Sequence, residues 1–193
     1  MSELGGEPRR ARAETLADEG MQDWAHAWTI AMDALARVSV AAAAARDEAQ
    51  LQAEGASALV GPFADWAIFD LLDGRWSRAV AAREPDLAPA DLLLEVTAPE
   101  CPLITSAMSR CAPVVALADD DESLLGRLPG GRTVIGALSA CSAAAAPILN
   151  EDTPRGAVTI VRGPGRPGIG FVELGVLAQI GELTNAAVQR VVS

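Results

Sequence analysis

The chain has 193 residues, half of them hydrophobic, so it can bury a sizeable core without disulfide or metal staples and is not disordered throughout. Alanine fills 39 positions, Lys and Tyr are absent, and 15 Arg stand against 26 carboxylates, for a formal net charge of -11. That charge argues against nucleic-acid and anionic-membrane partners, which want a basic patch, and the missing Lys excludes P-loop and Schiff-base chemistry.

Residues 1–15 are polar and charged and are expected to form a loose tail, with one domain over 16–193. The residues Met21, Trp24, Trp28, Ala31, Leu35, Val38, Ala42, Ala45 and Ala49 step alternately by three and four, a heptad seam. No Pro or Gly interrupts 21–54, so one helix of roughly 50 Å is expected there. Two readings of its seam stay open: an amphipathic helix on its own core, or a helix meeting a second helix from another chain. Under the second, Met21, Trp24, Trp28 and Leu35 form a dimer interface. Gly55 and Gly61-Pro62 are read as the end of the helix.

DWAIFDLL (65–72) reads as a strand, Asp73-Gly74 as a hairpin turn and 75–82 as the return strand. Residues 85–96 have helical spacing. Pro102 suits the first position of a helix ending at Arg110, Pro113 stops it, and 114–118 reads as a short strand. The acidic run 119–122 reads as a solvated loop. Residues 132–138 are ambiguous, and 140–149 suits a buried strand or helix. Residues 150–154 form a turn, and GAVTIVR (156–162) is a β-branched strand. GPGRPGIG (163–170) is a connection rather than a phosphate loop, because its prolines lack N–H donors. A second long helix covers 171–192. The strands do not alternate regularly with helices, which favours an α+β layout with one antiparallel sheet.

No run of 18 apolar residues occurs and the N-terminus lacks an apolar signal region, so no membrane span is expected and the protein is read as cytoplasmic. Cys101, Cys111 and Cys141 are odd in number and form no C-x-x-C, which suits reduced thiols. With His26 they lack the paired spacing of a zinc site.

Three segments, ADWAIFDLLDGRWSRAVAA (64–82), SACSAAAAPILNEDTPRGAVTIVRG (139–163) and FVELGVLAQIGELTNAAVQRVV (171–192), resemble GAF domains of the actinobacterial type. CPLITSAMSRCAPVVAL (101–117) is similar to the family's middle helix and following strand, and the resemblance spans roughly residues 20–192. It implies an antiparallel sheet of five or six strands, terminal helices on one face and a small-molecule pocket on the other. In that pattern Pro147 ends a strand, and Phe171 and Glu173 open the closing helix. The implied ligand-binding residues are Cys101, Thr105, Met108 and Cys111 on the middle helix, with Trp66 or Phe69 on the floor according to strand phase. The resemblance implies a sensor or interaction module without its own output domain, acting as a homodimer or through a protein partner on an unidentified small molecule. No cofactor is assigned.

The family's variants narrow the ligand. Without Lys the Asn-Lys-Phe-Asp-Glu signature of cyclic-nucleotide members cannot be intact. No Cys has a flanking His for bilin attachment, and the single His26, between Trp24 and Trp28, is away from the expected haem position. An enzyme alternative resembles free methionine-R-sulfoxide reductase: Cys101 and Cys111 stand ten apart across the middle helix as in that family. Cys141 departs from its pattern, lying six residues before Pro147 and followed by Ser142.

Overall fold

The alanine-rich first helix carries its own stop signal. The computed structural model describes residues 7–83, 90–118 and 121–192; in it α1 spans Glu7–Ala44 and α2 spans Glu48–Leu59. The continuous helix expected over 21–54 thus breaks at 45–47. Asp47 adopts extended backbone and its Oδ1 accepts from the Gln50 N–H at 2.8 Å, while Gln50 Oε1 accepts from the Arg46 N–H at 3.0 Å. A short carboxylate competing for backbone N–H groups starts a new helix without any Pro or Gly. Of the tail expected over 1–15, residues 1–6 lie outside the described residues, and from Glu7 the backbone is helical.

The hairpin forms as its turn signal predicts. Strands β1 (Trp66–Asp73) and β2 (Arg75–Ala82) pair antiparallel around Gly74, whose φ of +66° is left-handed and suits glycine. Next come α3 (Ala90–Leu94), a 3-10 turn (Ala98–Glu100), α4 (Pro102–Arg110) and β3 (Val114–Leu117). The part of the helical stretch expected over 85–89, and Asp119 and Asp120 of the acidic run, lie outside the described residues. Then follow α5 (Val134–Leu138), β4 (Ser142–Asn150), β5 (Thr153–Arg162) and α6 (Phe171–Val192). The ambiguous stretch 132–138 is thereby a short helix capped by Thr133, and the apolar stretch 140–149 is a strand.

The five strands form one antiparallel sheet in the order β2-β1-β5-β4-β3. Pro147 lies inside β4 opposite Ala157 rather than at a strand end. Proline is tolerated there because β3 pairs with β4 only over 142–145, which leaves β4 an open edge beyond it. One face, with Ala67, Phe69, Leu71, Val158 and Ile160, packs under α1, α2 and α6. The opposite face, with Trp66, Ile68, Ala157 and Val161, packs under α3, α4 and α5.

Gly55 does not end α2 but lies within it. A Cβ there would stand 2.9 Å from Phe69 Cζ, so the absent side chain lets α2 rest on β1. From α6, Arg190 donates to the carbonyls of Ala42, Ala43 and Ala45 at 2.6, 3.2 and 3.1 Å, covering oxygens that the end of α1 leaves unpaired.

The two readings of the heptad seam divide along α1. Ala31, Ala34, Val38, Ala42 and Ala45 are buried against the chain's own core and Leu35 is partly buried, whereas Met21, Trp24 and Trp28 are exposed. By length and composition alone, Met21–Ala44 is long and apolar enough to cross a membrane. Asp23, Asp33 and Arg37 interrupt it, and Arg37 pairs with Asp33 at 3.1 Å.

Candidate functional site

The hairpin register places Asp70 directly opposite Arg78, both directed to the α4 face of the sheet. Asp70 and Arg78 have side chains only 1% and 9% exposed, and they form a two-point pair: Nε to Oδ1 at 2.7 Å and Nη2 to Oδ2 at 3.1 Å. The guanidinium then reaches up. Its Nη1 donates to the Leu93 carbonyl at 2.9 Å and to the Val96 carbonyl, and Nη2 approaches Cys101 Sγ at 3.7 Å. One buried cation therefore ties the sheet to the segment running from α3 to the start of α4.

Burial pushes the Asp70 carboxyl above its ordinary pKa, against the pull of Arg78. Burial opposes the Arg78 charge as well, but hydrogen bonding and attraction to Asp70, with a smaller contribution from Cys101, outweigh it and raise its pKa. The Cys101 thiol is also pushed up by burial, only partly offset by Arg78. It donates to the carbonyls of Leu125 at 3.3 Å and Thr97 at 3.5 Å. A buried thiol with a raised pKa holds little nucleophilic thiolate.

Two further polar groups lie on this face. Trp66 and Thr159 are 1% and 0% exposed, and Trp66 Nε1 and Thr159 Oγ1 have no hydrogen-bond partner among the described residues. Thr159 pairs across the ladder with Ile68, midway between Trp66 and Asp70. An unsatisfied buried polar group costs about 1–3 kcal/mol. This face of the sheet thus holds a charged pair, a thiol and two unsatisfied groups beneath a tightly seated cover.

Of the residues singled out from the sequence, Trp66 and Cys101 meet on this face, with the partly buried Met108 at its margin. Phe69 faces the other way, toward α2, because its neighbour Trp66 takes the opposite strand phase. Thr105 and Cys111 are exposed. The buried face of α4 is Leu103, Ile104 and Ala107, and Thr105 Oγ1 donates back to Pro102 O at 3.1 Å. Cys111 ends α4 in left-handed backbone at φ 48° and its Sγ approaches the Asp152 carbonyl at 3.7 Å. Asp70, Arg78 and Thr159 are not among the residues expected from the sequence. A signal existed for the pair: with the turn fixed at Gly74, an Asp and an Arg inside apolar strands come to face each other.

A cavity of about 800 Å³ lies on the other side of the molecule, between α1 and the β5–α6 connection, where Trp24, His26, Ile30, Arg166 and Phe171 line it. Ion pairs fix its floor. Arg162 Nη2 meets Glu173 Oε1 at 3.0 Å, both side chains buried, and Arg162 also donates to the carbonyls of Phe63, Pro167 and Gly168. Glu173 Oε2 accepts from the Gly170 N–H at 3.1 Å at the start of α6, and Arg166 Nη2 meets Asp65 at 2.9 Å. Both arginines serve to shape GPGRPG as a connection. A smaller cavity of about 250 Å³ involves Gln52, Asp73 and Arg75.

The order of elements, the terminal helices on one face and the small helices on the other can be set beside solved structures. The GAF domain of a phosphoenolpyruvate-protein phosphotransferase from Coxiella burnetii superposes with a TM-score of 0.63 at 14% identity, covering 84% of this chain and 95% of that one. The chain has a GAF fold. The GAF domain of the corresponding Acinetobacter phosphotransferase gives 0.60 at 14% identity over 82% of this chain and 92% of that one. Free methionine-R-sulfoxide reductase from Neisseria meningitidis, solved in complex with its substrate, gives 0.61 at 13% identity over 84% and 90%. No protein-family model and no curated protein sequence matches the chain.

Proposed function

We propose that this GAF-fold chain is a cytoplasmic regulatory module that responds to a small molecule on its α4 face, forms a homodimer through its terminal helices, and passes the state of that dimer to a protein partner. The observation that carries the reading is near the middle of α1. Trp24 and Trp28 stack with ring centroids 5.8 Å apart, yet remain 57% and 44% exposed, beside Met21 at 66%. Large aromatic side chains grouped on one helix face are what a partner helix covers, and each is worth a few kcal/mol when buried. The α1 seam continues from this patch into the contact with α6, so a second copy would extend a packing surface already in use.

The redox-enzyme alternative has less support. Cys101 is buried at the start of α4 and Cys111 is exposed at its end, ten residues and roughly 15 Å of helix away. A disulfide needs Cα atoms within about 7 Å. Light scattering tests the favoured reading. The native chain should be dimeric at micromolar concentration, and Trp24→Arg with Trp28→Arg should give a folded monomer. A monomeric native chain would refute the dimer.

A further inference from the structure

Among the described residues, the side-chain hydrogen bonds that tie residues 90–101 to the rest of the fold come from Arg78 and Cys101. Arg78 Nη1 holds the carbonyls of Leu93 and Val96, and Cys101 closes the far end on Leu125 O at 3.3 Å. Elsewhere on the same face of the sheet lie Trp66 Nε1–H and the Thr159 hydroxyl, buried and without partners among the described residues, while Arg78 Nη2 reaches only a sulfur at 3.7 Å beyond Asp70. The closed arrangement therefore has surplus donors. A ligand complementary to it brings acceptors. A carboxylate suits best, because it meets a guanidinium with opposite charge and with two parallel hydrogen bonds, which two separate carbonyls cannot do. It would outcompete Leu93 O and Val96 O for Nη1 while Asp70 keeps the opposite edge of the guanidinium.

We propose that residues 90–101 are a lid, that Arg78 is its latch, and that a small carboxylic acid with an apolar body opens it by taking Arg78 Nη1 from the two lid carbonyls. The inference deepens the ligand-responsive reading above and rests on it. An apolar body is expected because the surrounding side chains are Trp66, Ile68, Leu93, Val96 and Ile104. Opening would uncover Cys101, now 1% exposed, which makes that thiol a reporter of the lid.

The test uses the full chain with Cys111→Ser and Cys141→Ser, leaving Cys101 as the single thiol, and follows its alkylation by neutral iodoacetamide. Hexanoate should accelerate labelling saturably and matched hexanol should not. Arg78→Met should label about tenfold faster without hexanoate, and be indifferent to it, since a set of charge-assisted hydrogen bonds is lost. Should that variant fail to fold because Asp70 is left unpaired, Asp70→Leu with Arg78→Met removes both charges and should label equally fast. Labelling of a folded latch variant at the native rate overturns the latch. Equal acceleration by hexanoate and hexanol, or by neither, overturns the carboxylate. Native mass spectrometry separates this from the wider reading: a co-purified metabolite with no response of Cys101 to hexanoate or to loss of Arg78 would keep the sensor and remove the lid.

Discussion

Gly181 of α6 lies directly on Pro147 of β4: a Cβ at 181 would stand 2.5 Å from the Pro147 carbonyl oxygen. The obstacle is backbone within the sheet, which cannot swing aside as a side chain could. In an exposed helix, Gly→Ala gains about 1 kcal/mol. Here Gly181→Ala must push α6 off the sheet, and overpacking of that kind costs about 1–3 kcal/mol. The expected outcome is net destabilisation, read as a lower urea midpoint at unchanged slope. A gain in stability would show that α6 is not seated this closely.

The Asp70–Arg78 pair should leave a mark on pH dependence. Asp70 has a folded pKa above its reference value of 3.8 because burial disfavours its charge. Its contribution to stability is therefore fully present below the unfolded pKa and is lost as pH rises through the folded one. Comparing the native chain with Asp70→Asn by denaturation across that window, the advantage of the native chain should shrink toward neutral pH. An advantage that grows with pH would mean that Arg78 outweighs burial and the pKa is depressed.

Arg190 closes the end of α1 from a distance of almost 150 residues along the chain, through bonds to Ala42, Ala43 and Ala45. Arg190→Met keeps much of the side-chain bulk and removes the donors. It should cost about 0.3–1 kcal/mol, the range for a cation at an exposed helix C-terminus. Hydrogen exchange should quicken locally in the last turn of α1 and at the start of α2. Unchanged exchange there would show that the joint needs no such cap.

Much of the architecture was legible in the sequence because its signals are local. Asp73-Gly74 set the hairpin, Pro102 and Pro113 framed α4, and the apolar period of 171–192 matched α6 residue for residue. The alanine stretch 143–146 was not legible, since alanine suits a strand or a helix and the choice was made by β3 and β5 on either side. The break at Asp47 is written in Asp47 and Gln50, three residues apart as in a capping box, and involves neither Pro nor Gly. On the α4 face, helical spacing grouped Thr105, Met108 and Cys111 as one side, but α4 ends at Arg110 and Cys111 leaves the helix in left-handed backbone. Which side faced the sheet depended on Leu103, Ile104 and Ala107, whose greater claim to burial decides the rotation. Arg78 was hidden for a different reason: its partners at Leu93 and Val96 are backbone oxygens, which carry no residue identity.

The joint at 45–47 has a mechanical meaning. A single rod from residue 7 to residue 59 would carry torque straight into the strand beneath α2, through the seat of Gly55 on Phe69. With the rod divided, a twist applied at Trp24 arrives at the joint and finds Arg190 there, gripping the last oxygens of α1. Through Arg190 the end of α1 is joined to α6, which rests on β4 where Gly181 meets Pro147, whereas α2 rests on β1 where Gly55 meets Phe69.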